Sequence, residues 1–236
     1  MMDVFTVQSN RIVRAVGNRW QRWQNASFYK RLSVGEAFST IYQSHAWGSR
    51  PDRPFCSGDG SIREEVVGPY CEMIRAFIEN HDIKRVVDLG CGDFGVGSRL
   101  IGPEIAYTGV DVVPDLISYN QEHFGSPSVE FQCLNIIEDD LPPGDLCLVR
   151  QVLQHLSNIQ IQQTLKSLSR YQYVIVTEHV YAGVGLRRNL DKPQGPGTRI
   201  PKRSGVFLES PPFNRSAKLL LEVQLAENDV LRSVLA

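Results

Sequence analysis

The segment Val86-Val87-Asp88-Leu89-Gly90-Cys91-Gly92-Asp93-Phe94-Gly95 constrains the fold more than any other stretch of the chain. A short apolar run ends in an acid, two glycines follow two residues apart, and the pattern then reads as helical from about 95 to 102. A second apolar run, Ala106 to Val110, ends in another acid, Asp111. This is the layout of a βαβ unit that receives a nucleoside. Glycines at a strand tip let the backbone approach a ligand closely. An acid at the next strand tip can accept hydrogen bonds from ribose hydroxyls.

The rhythm continues from Lys84 onward, with strands expected near 85–89, 106–110, 129–133, 145–150 and 173–178 and helices near 95–102, 114–124 and 157–170. Short, nearly continuous apolar strands alternating with helices imply a parallel sheet covered on both faces, joined by right-handed crossovers. The stretch 181–217 breaks the alternation. It is rich in Gly and Pro and carries seven basic residues against two acidic ones. A loop of that length inside a domain is usually functional or disordered. Leu219 to Leu225 and Val230 to Ala236 then read as a terminal hairpin around Ala226-Glu227-Asn228-Asp229.

Upstream, residues 1–60 read as a helical extension and lid, and 61–236 as the main domain, with 181–217 inserted on the acceptor side. Residues 1–35 are locally basic, with Ile12, Val13, Val16, Trp20 and Trp23 at helical spacing. Ser61 and Glu64 form an S-x-x-E capping pattern ahead of Ile62, Val66, Tyr70, Ile74, Phe77 and Ile78 on one helix face.

The net charge of −1 supplies no field for nucleic acid or membrane. No apolar run approaches the roughly 18 residues of a membrane span. The five cysteines are odd in number, scattered and free of any CxxC pair, which points to reduced thiols and away from zinc. With no basic-then-apolar stretch in residues 1–9, a cytoplasmic location is expected.

Gly90-x-Gly92-x-x-Gly95 also fits the dinucleotide fingerprint, so the glycines alone decide little. Asp88 decides more. An acid at the strand end is a poor neighbour for a pyrophosphate seated on a helix N-terminus, but suits a ligand whose nearest group is cationic. S-adenosylmethionine (SAM) carries an ammonium and a sulfonium and no phosphate. Here the chain resembles the class I SAM-dependent methyltransferases, from about Lys84 to the C-terminus. Asp88-x-Gly90-x-Gly92 matches their first motif and Asp111 their ribose-binding acid. Cys133-Leu134-Asn135-Ile136 falls where they contact adenine. Asp145-Leu146-Cys147-Leu148-Val149-Arg150-Gln151-Val152-Leu153-Gln154-His155-Leu156 matches their fourth strand and its "LxHL" ending. Asn135 and Gln151 depart from the family, which often has Asp at both places.

The resemblance implies a Rossmann-like sheet of seven strands ordered 3-2-1-4-5-7-6. It assigns SAM to Asp88, Gly90, Cys91, Gly92, Asp111, Val112, Asn135, Ile136, Arg150 and Gln151. His155 is the expected base, with Glu178 and His179 as further catalytic candidates, although His155 could equally cap a helix and Glu178 bind loop backbone. Tyr42 and Trp47 could flank the sulfonium. Backbone amides of Ser57-Gly58-Asp59-Gly60-Ser61 could receive the methionine carboxylate. The basic loop points to an anionic or sugar-like acceptor held by Arg199, Arg203 and Asn214. The expected partners are a small-molecule acceptor and at most a second copy of the chain; no metal and no nucleic acid are expected. Two other classes stay open: an NAD-dependent oxidoreductase, and a SAM-binding protein that has lost catalysis.

Overall fold

The computed structural model of the protein describes residues 27–236. The amphipathic pattern at 12–23 lies outside them. Seven strands form one sheet in the order β3-β2-β1-β4-β5-β7-β6: β1 (Arg85–Leu89), β2 (Ala106–Asp111), β3 (Val129–Cys133), β4 (Leu146–Arg150), β5 (Tyr173–Tyr181), β6 (Lys218–Ala226) and β7 (Asp229–Leu235). The first five run parallel, and the hairpin β6–β7 joins β5 antiparallel, so the expected order and terminal hairpin are both present.

Among the described residues, four helices of two turns or more flank the sheet: α1 (Val34–Gln43), α2 (Glu64–Asn80), α3 (Pro114–Phe124) and α4 (Asn158–Ser167). Because side chains alternate across a strand, each strand feeds two cores. On one face Leu146, Leu148 and Ile175 pack beneath Val67, Tyr70 and Ile74 of α2. On the other, Cys147, Val149 and Val176 pack against Ile161 and Leu165 of α4 and against Val206, Leu208 and Phe213 from the long loop. Each such fully buried side chain contributes roughly 1.5–3 kcal/mol. No described helix is long and apolar enough to cross a membrane.

Three expectations need correction. No α-helix forms over 95–102; the chain makes only a 3-10 turn at Gly97–Arg99. Phe94 adopts a positive φ of 59°, and a side chain at Gly97 would strike the Tyr107 hydroxyl and the Phe94 ring, so this segment lies flat on the sheet instead of coiling. The Ser61–Glu64 box does not form either. Helix α2 starts at Glu64 behind Arg63, and Glu64 instead grips the Arg99 guanidinium with both oxygens at 2.7 and 2.8 Å. Ile62 thus falls outside α2 and is exposed. True capping boxes form at Ser33–Glu36 and Ser157–Gln160.

The basic loop is tightly held. Buried Asn189 donates to the carbonyls of Phe207 and Pro211 and accepts from Phe207 N–H at 2.7 Å. Gln194 ties the loop to the carbonyls of Tyr29 and Leu32 ahead of α1.

Candidate active site

The C-terminal tips of β1, β2, β4 and β5 open into a cavity of about 250 Å³, roofed by α1 and the loop after it. Open α/β sheets place ligands at this edge. Two glycines make the approach to β1 feasible. Gly90 (φ 78°) has the side chain of Val152 against it, and Gly92 (φ 56°) the hydroxyl of Ser57; neither site has room for a Cβ.

Asp111 is buried at the tip of β2. Its carboxylate accepts the N–H groups of Gly92 and Val113, each at 3.2 Å, which fixes its orientation and leaves lone pairs for a ligand. Asp88, on β1, accepts the Tyr107 hydroxyl at 2.7 Å. Burial pushes both carboxyls up to about 6, opposed by these donated bonds. Since their folded pKa values are raised, the stability they contribute to the protein alone is present at low pH and lost as pH rises through about 6.

Arg150 ends β4. One guanidinium nitrogen donates to the Gly60 carbonyl at 2.5 Å, another makes long bonds to Ser61 and Gln151, and the third, Nε, is enclosed without a partner. It lies over the Tyr70 ring, 5.0 Å from the centroid, and forms no salt bridge among the described residues. Gln151 follows with φ 56°, its N–H bonded to the Thr177 carbonyl at 2.7 Å, so β4 leaves the sheet abruptly and turns residues 151–156 along the cavity wall.

Of the residues expected to bind a cofactor, Asp88, Gly90, Cys91, Gly92, Asp111, Val112, Asn135, Ile136, Arg150 and Gln151 all line this cavity. The Asn135 side-chain oxygen is already used, accepting from Ile137 N–H at 3.1 Å. Tyr42 and Trp47 also line it; the Tyr42 hydroxyl meets Ser57, and the Trp47 indole donates to the Pro196 carbonyl at 3.1 Å.

Other expected residues have different roles. Glu178 does not line the cavity. It is buried behind it and accepts N–H bonds from Val152, Leu153 and Gln154 at 3.2, 2.8 and 3.0 Å, which pins the 151–156 turn. Burial pushes its pKa up to about 8, against those bonds and nearby Arg199. Arg199 is fully buried and donates to Asn158 and to the carbonyls of Leu190 and Leu156, a staple that ties the loop to the start of α4. Arg203 and Asn214 are exposed, with positive φ, and do not line the cavity. The seven basic residues of 181–217 all point elsewhere: from that segment only Pro196 and Thr198 reach the cavity.

His155 lines the cavity but has both ring nitrogens engaged. Nδ1 faces the Gly195 carbonyl at 3.2 Å and must be the protonated nitrogen there. Nε2, then an acceptor, takes the Gln154 amide at 3.2 Å. Burial lowers its pKa to about 3, aided by Lys192. Such a ring stays neutral at pH 7, with one proton on Nδ1, and does not take up a second.

The sequence reading missed Val34 and Phe38 of α1, Gln154, Pro196 and Thr198. They come from segments far apart in sequence, and only the Ser33–Glu36 box, which starts α1, carried a local signal.

No protein-family model matches the chain. Over 90 residues it is 30% identical to the malonyl-[acyl-carrier protein] O-methyltransferase of Acetivibrio thermocellus, a match to 35% of this chain and 32% of that protein. The chain thus spans about a third of the length of this curated relative. Among solved structures, it is similar to human N-acetylserotonin methyltransferase in complex with SAM (TM-score 0.54, 14% identity, 92% of this chain and 66% of that one). It is also similar to the N-methyltransferase NodS of Bradyrhizobium japonicum in complex with S-adenosylhomocysteine (TM-score 0.55, 15% identity, 83% and 97%). This is the class I SAM-dependent methyltransferase fold. A third structure with this architecture is the 1,6-didemethyltoxoflavin-N1-methyltransferase of Burkholderia thailandensis (TM-score 0.52, 14% identity, 86% of each chain).

Proposed function

We propose that the chain transfers a methyl group from SAM to a small-molecule oxygen or nitrogen acceptor. The observation that carries this reading is the charge pattern of one cavity: a fixed carboxylate at the β2 tip, a second at β1, and a guanidinium at β4 with no salt bridge among the described residues. That pattern complements a zwitterion with a ribose. Asp111 faces the ribose hydroxyls, Asp88 lies on the side of the ammonium, and Arg150 offers its donors to the carboxylate. Bound there, SAM supplies a methyl on a sulfonium, already a good leaving group, so the chain's task is mainly alignment, which can contribute about 7–11 kcal/mol.

The glycine loop opens onto a 3-10 turn, not a helix, so it offers no helix N-terminus to a pyrophosphate, and Asp88 opposes one. This weighs against the oxidoreductase reading. On the acceptor side Val34, Phe38, Trp47, Leu156 and Pro196 make an apolar wall, and among the described residues Arg150 is the one Lys or Arg lining the cavity. A compact, largely apolar acceptor fits better than an anionic one.

Arg150→Met is expected to weaken SAM binding about 10- to 100-fold, the worth of one charge-assisted pair, and to leave methylthioadenosine, which lacks the carboxylate, unaffected. Calorimetry with both ligands checks this; equal losses would contradict the assignment. SAM affinity is also expected to fall as pH drops below about 6, since Asp88 must shed its proton to face the ammonium and Asp111 must shed its own to accept both ribose hydroxyls. Each contributes about tenfold per pH unit below that point.

A further inference from the structure

Two histidines line the cavity, and their surroundings are opposite. His155 has both nitrogens committed to the protein. His179, near the end of β5, faces Asp229, the first residue of β7, with Nε2 3.6 Å from Oδ2. That Nε2 is enclosed and makes no hydrogen bond among the described residues, Asp229 lying just beyond hydrogen-bond distance, whereas Nδ1 is neither enclosed nor bonded among them. The sheet fixes the pair. Strands β5 and β7 run antiparallel with Tyr181 opposite Asp229 and His179 opposite Leu231, so the two side chains are diagonal neighbours on one face. The Asn228 carbonyl accepts the Ala182 N–H at 2.7 Å, which ties down the hairpin turn that carries Asp229.

We propose that His179, oriented by Asp229, takes the proton of the acceptor, and that the acceptor is a hydroxyl compound. The inference rests on the methyltransferase reading. A carboxylate behind Nε2 favours the tautomer with its proton on Nε2, which leaves the lone pair on Nδ1, the open nitrogen of a cavity-lining residue. In the step, an oxygen lone pair forms the bond to the methyl carbon. The carbon–sulfur bond breaks with its electron pair going to sulfur, which becomes a neutral thioether. The O–H proton passes to Nδ1, and the resulting imidazolium presents its Nε2–H to Asp229 before releasing a proton to solvent. An amine attacks with a lone pair it already has and needs no base beforehand, so the pair would be idle for it. Burial disfavours an imidazolium at His179 and holds its pKa below the usual histidine range, with Asp229 opposing but not outweighing it; a sulfonium in the cavity and Arg150, which shares the α2 side of the sheet, act in the same direction as burial, so the ring rests neutral, as a base must. Asp229 is a positioning residue in this scheme.

The test uses the whole chain, labelled with ¹⁵N-histidine and saturated with S-adenosylhomocysteine, in long-range ¹H–¹⁵N spectra from pH 5 to 9. His179 is expected as the Nε2–H tautomer. Asp229→Asn should lower its pKa by about one unit and populate the other tautomer, while His155 stays Nδ1–H and does not titrate. His179→Gln assigns the signals. In parallel, SAM is supplied with a panel of phenols and their matched anilines. Methylation is expected on the phenols, about 100-fold slower or more in His179→Gln, with the Michaelis constant for SAM unchanged. A His179 found as the Nδ1–H tautomer, a pKa indifferent to Asp229→Asn, or methylation of an aniline at full rate by His179→Gln would each overturn the proposal. If no panel member reacts, the spectra alone decide. Retained S-adenosylhomocysteine binding in the same samples separates failure of this pair from failure of the cofactor reading.

Discussion

Glu178→Ala is expected to lower the unfolding free energy by about 3 kcal/mol or more, with a fall in melting temperature of roughly 6–12 °C for a chain of this size. The reason is geometric. One buried carboxylate satisfies three consecutive backbone N–H groups at the 3-10 turn Leu153–His155, and removing it strands all three, at roughly 1–3 kcal/mol each less whatever entering water restores. Glu178→Gln keeps one acceptor oxygen and should fall between wild type and Ala. Thermal unfolding followed by circular dichroism checks both. An Ala variant melting within 2 °C of wild type would show that the turn does not depend on this carboxylate. Because residues 151–156 form the cavity wall, SAM affinity should decline alongside stability in these variants, unlike in Arg150→Met.

The second large effect is on binding. Asp111→Asn should weaken SAM and methylthioadenosine together by at least about 100-fold, because two bonds from ribose hydroxyls to a carboxylate are worth roughly 3–6 kcal/mol in total. The amide replaces one acceptor oxygen with donors, which also confronts one of the N–H groups of Gly92 and Val113 that now hold the carboxylate. Calorimetry on the two ligands separates this site from Arg150, whose replacement should spare methylthioadenosine. An Asn variant that binds methylthioadenosine normally while remaining folded would remove Asp111 from the nucleoside site.

That Asp88, Gly90, Gly92 and Asp111 share one edge of the cavity was legible because they sit at strand tips, and strand tips are marked locally. An apolar run that stops at an acid or at Gly90 and Gly92 announces both the strand and its ligand edge. The opposite wall, with Val34, Phe38, Pro196 and Thr198, was not legible. Excess positive charge in 181–217 invited an anion-binding reading, yet side-chain direction is set by packing that no local pattern encodes: Arg199 turns inward to three oxygen acceptors, and Arg203 outward to solvent. Glu178 and His179 are adjacent in sequence and point to opposite faces of β5, so one pins a turn while the other borders the cavity. Asp229 read as a turn residue because its partner lies 50 positions upstream.

The sequence by itself determined the parallel sheet, its terminal hairpin, and the two carboxylates at the β1 and β2 tips, since strand period, glycine placement and hydrophobic runs are properties of neighbouring residues. Only the tertiary structure decided which polar groups are consumed by the protein and which stay available to a ligand. That partition depends on burial and on hydrogen-bond partners brought together across the fold, as with His155 held between Gln154 and Gly195 and Arg150 left, among the described residues, without a carboxylate.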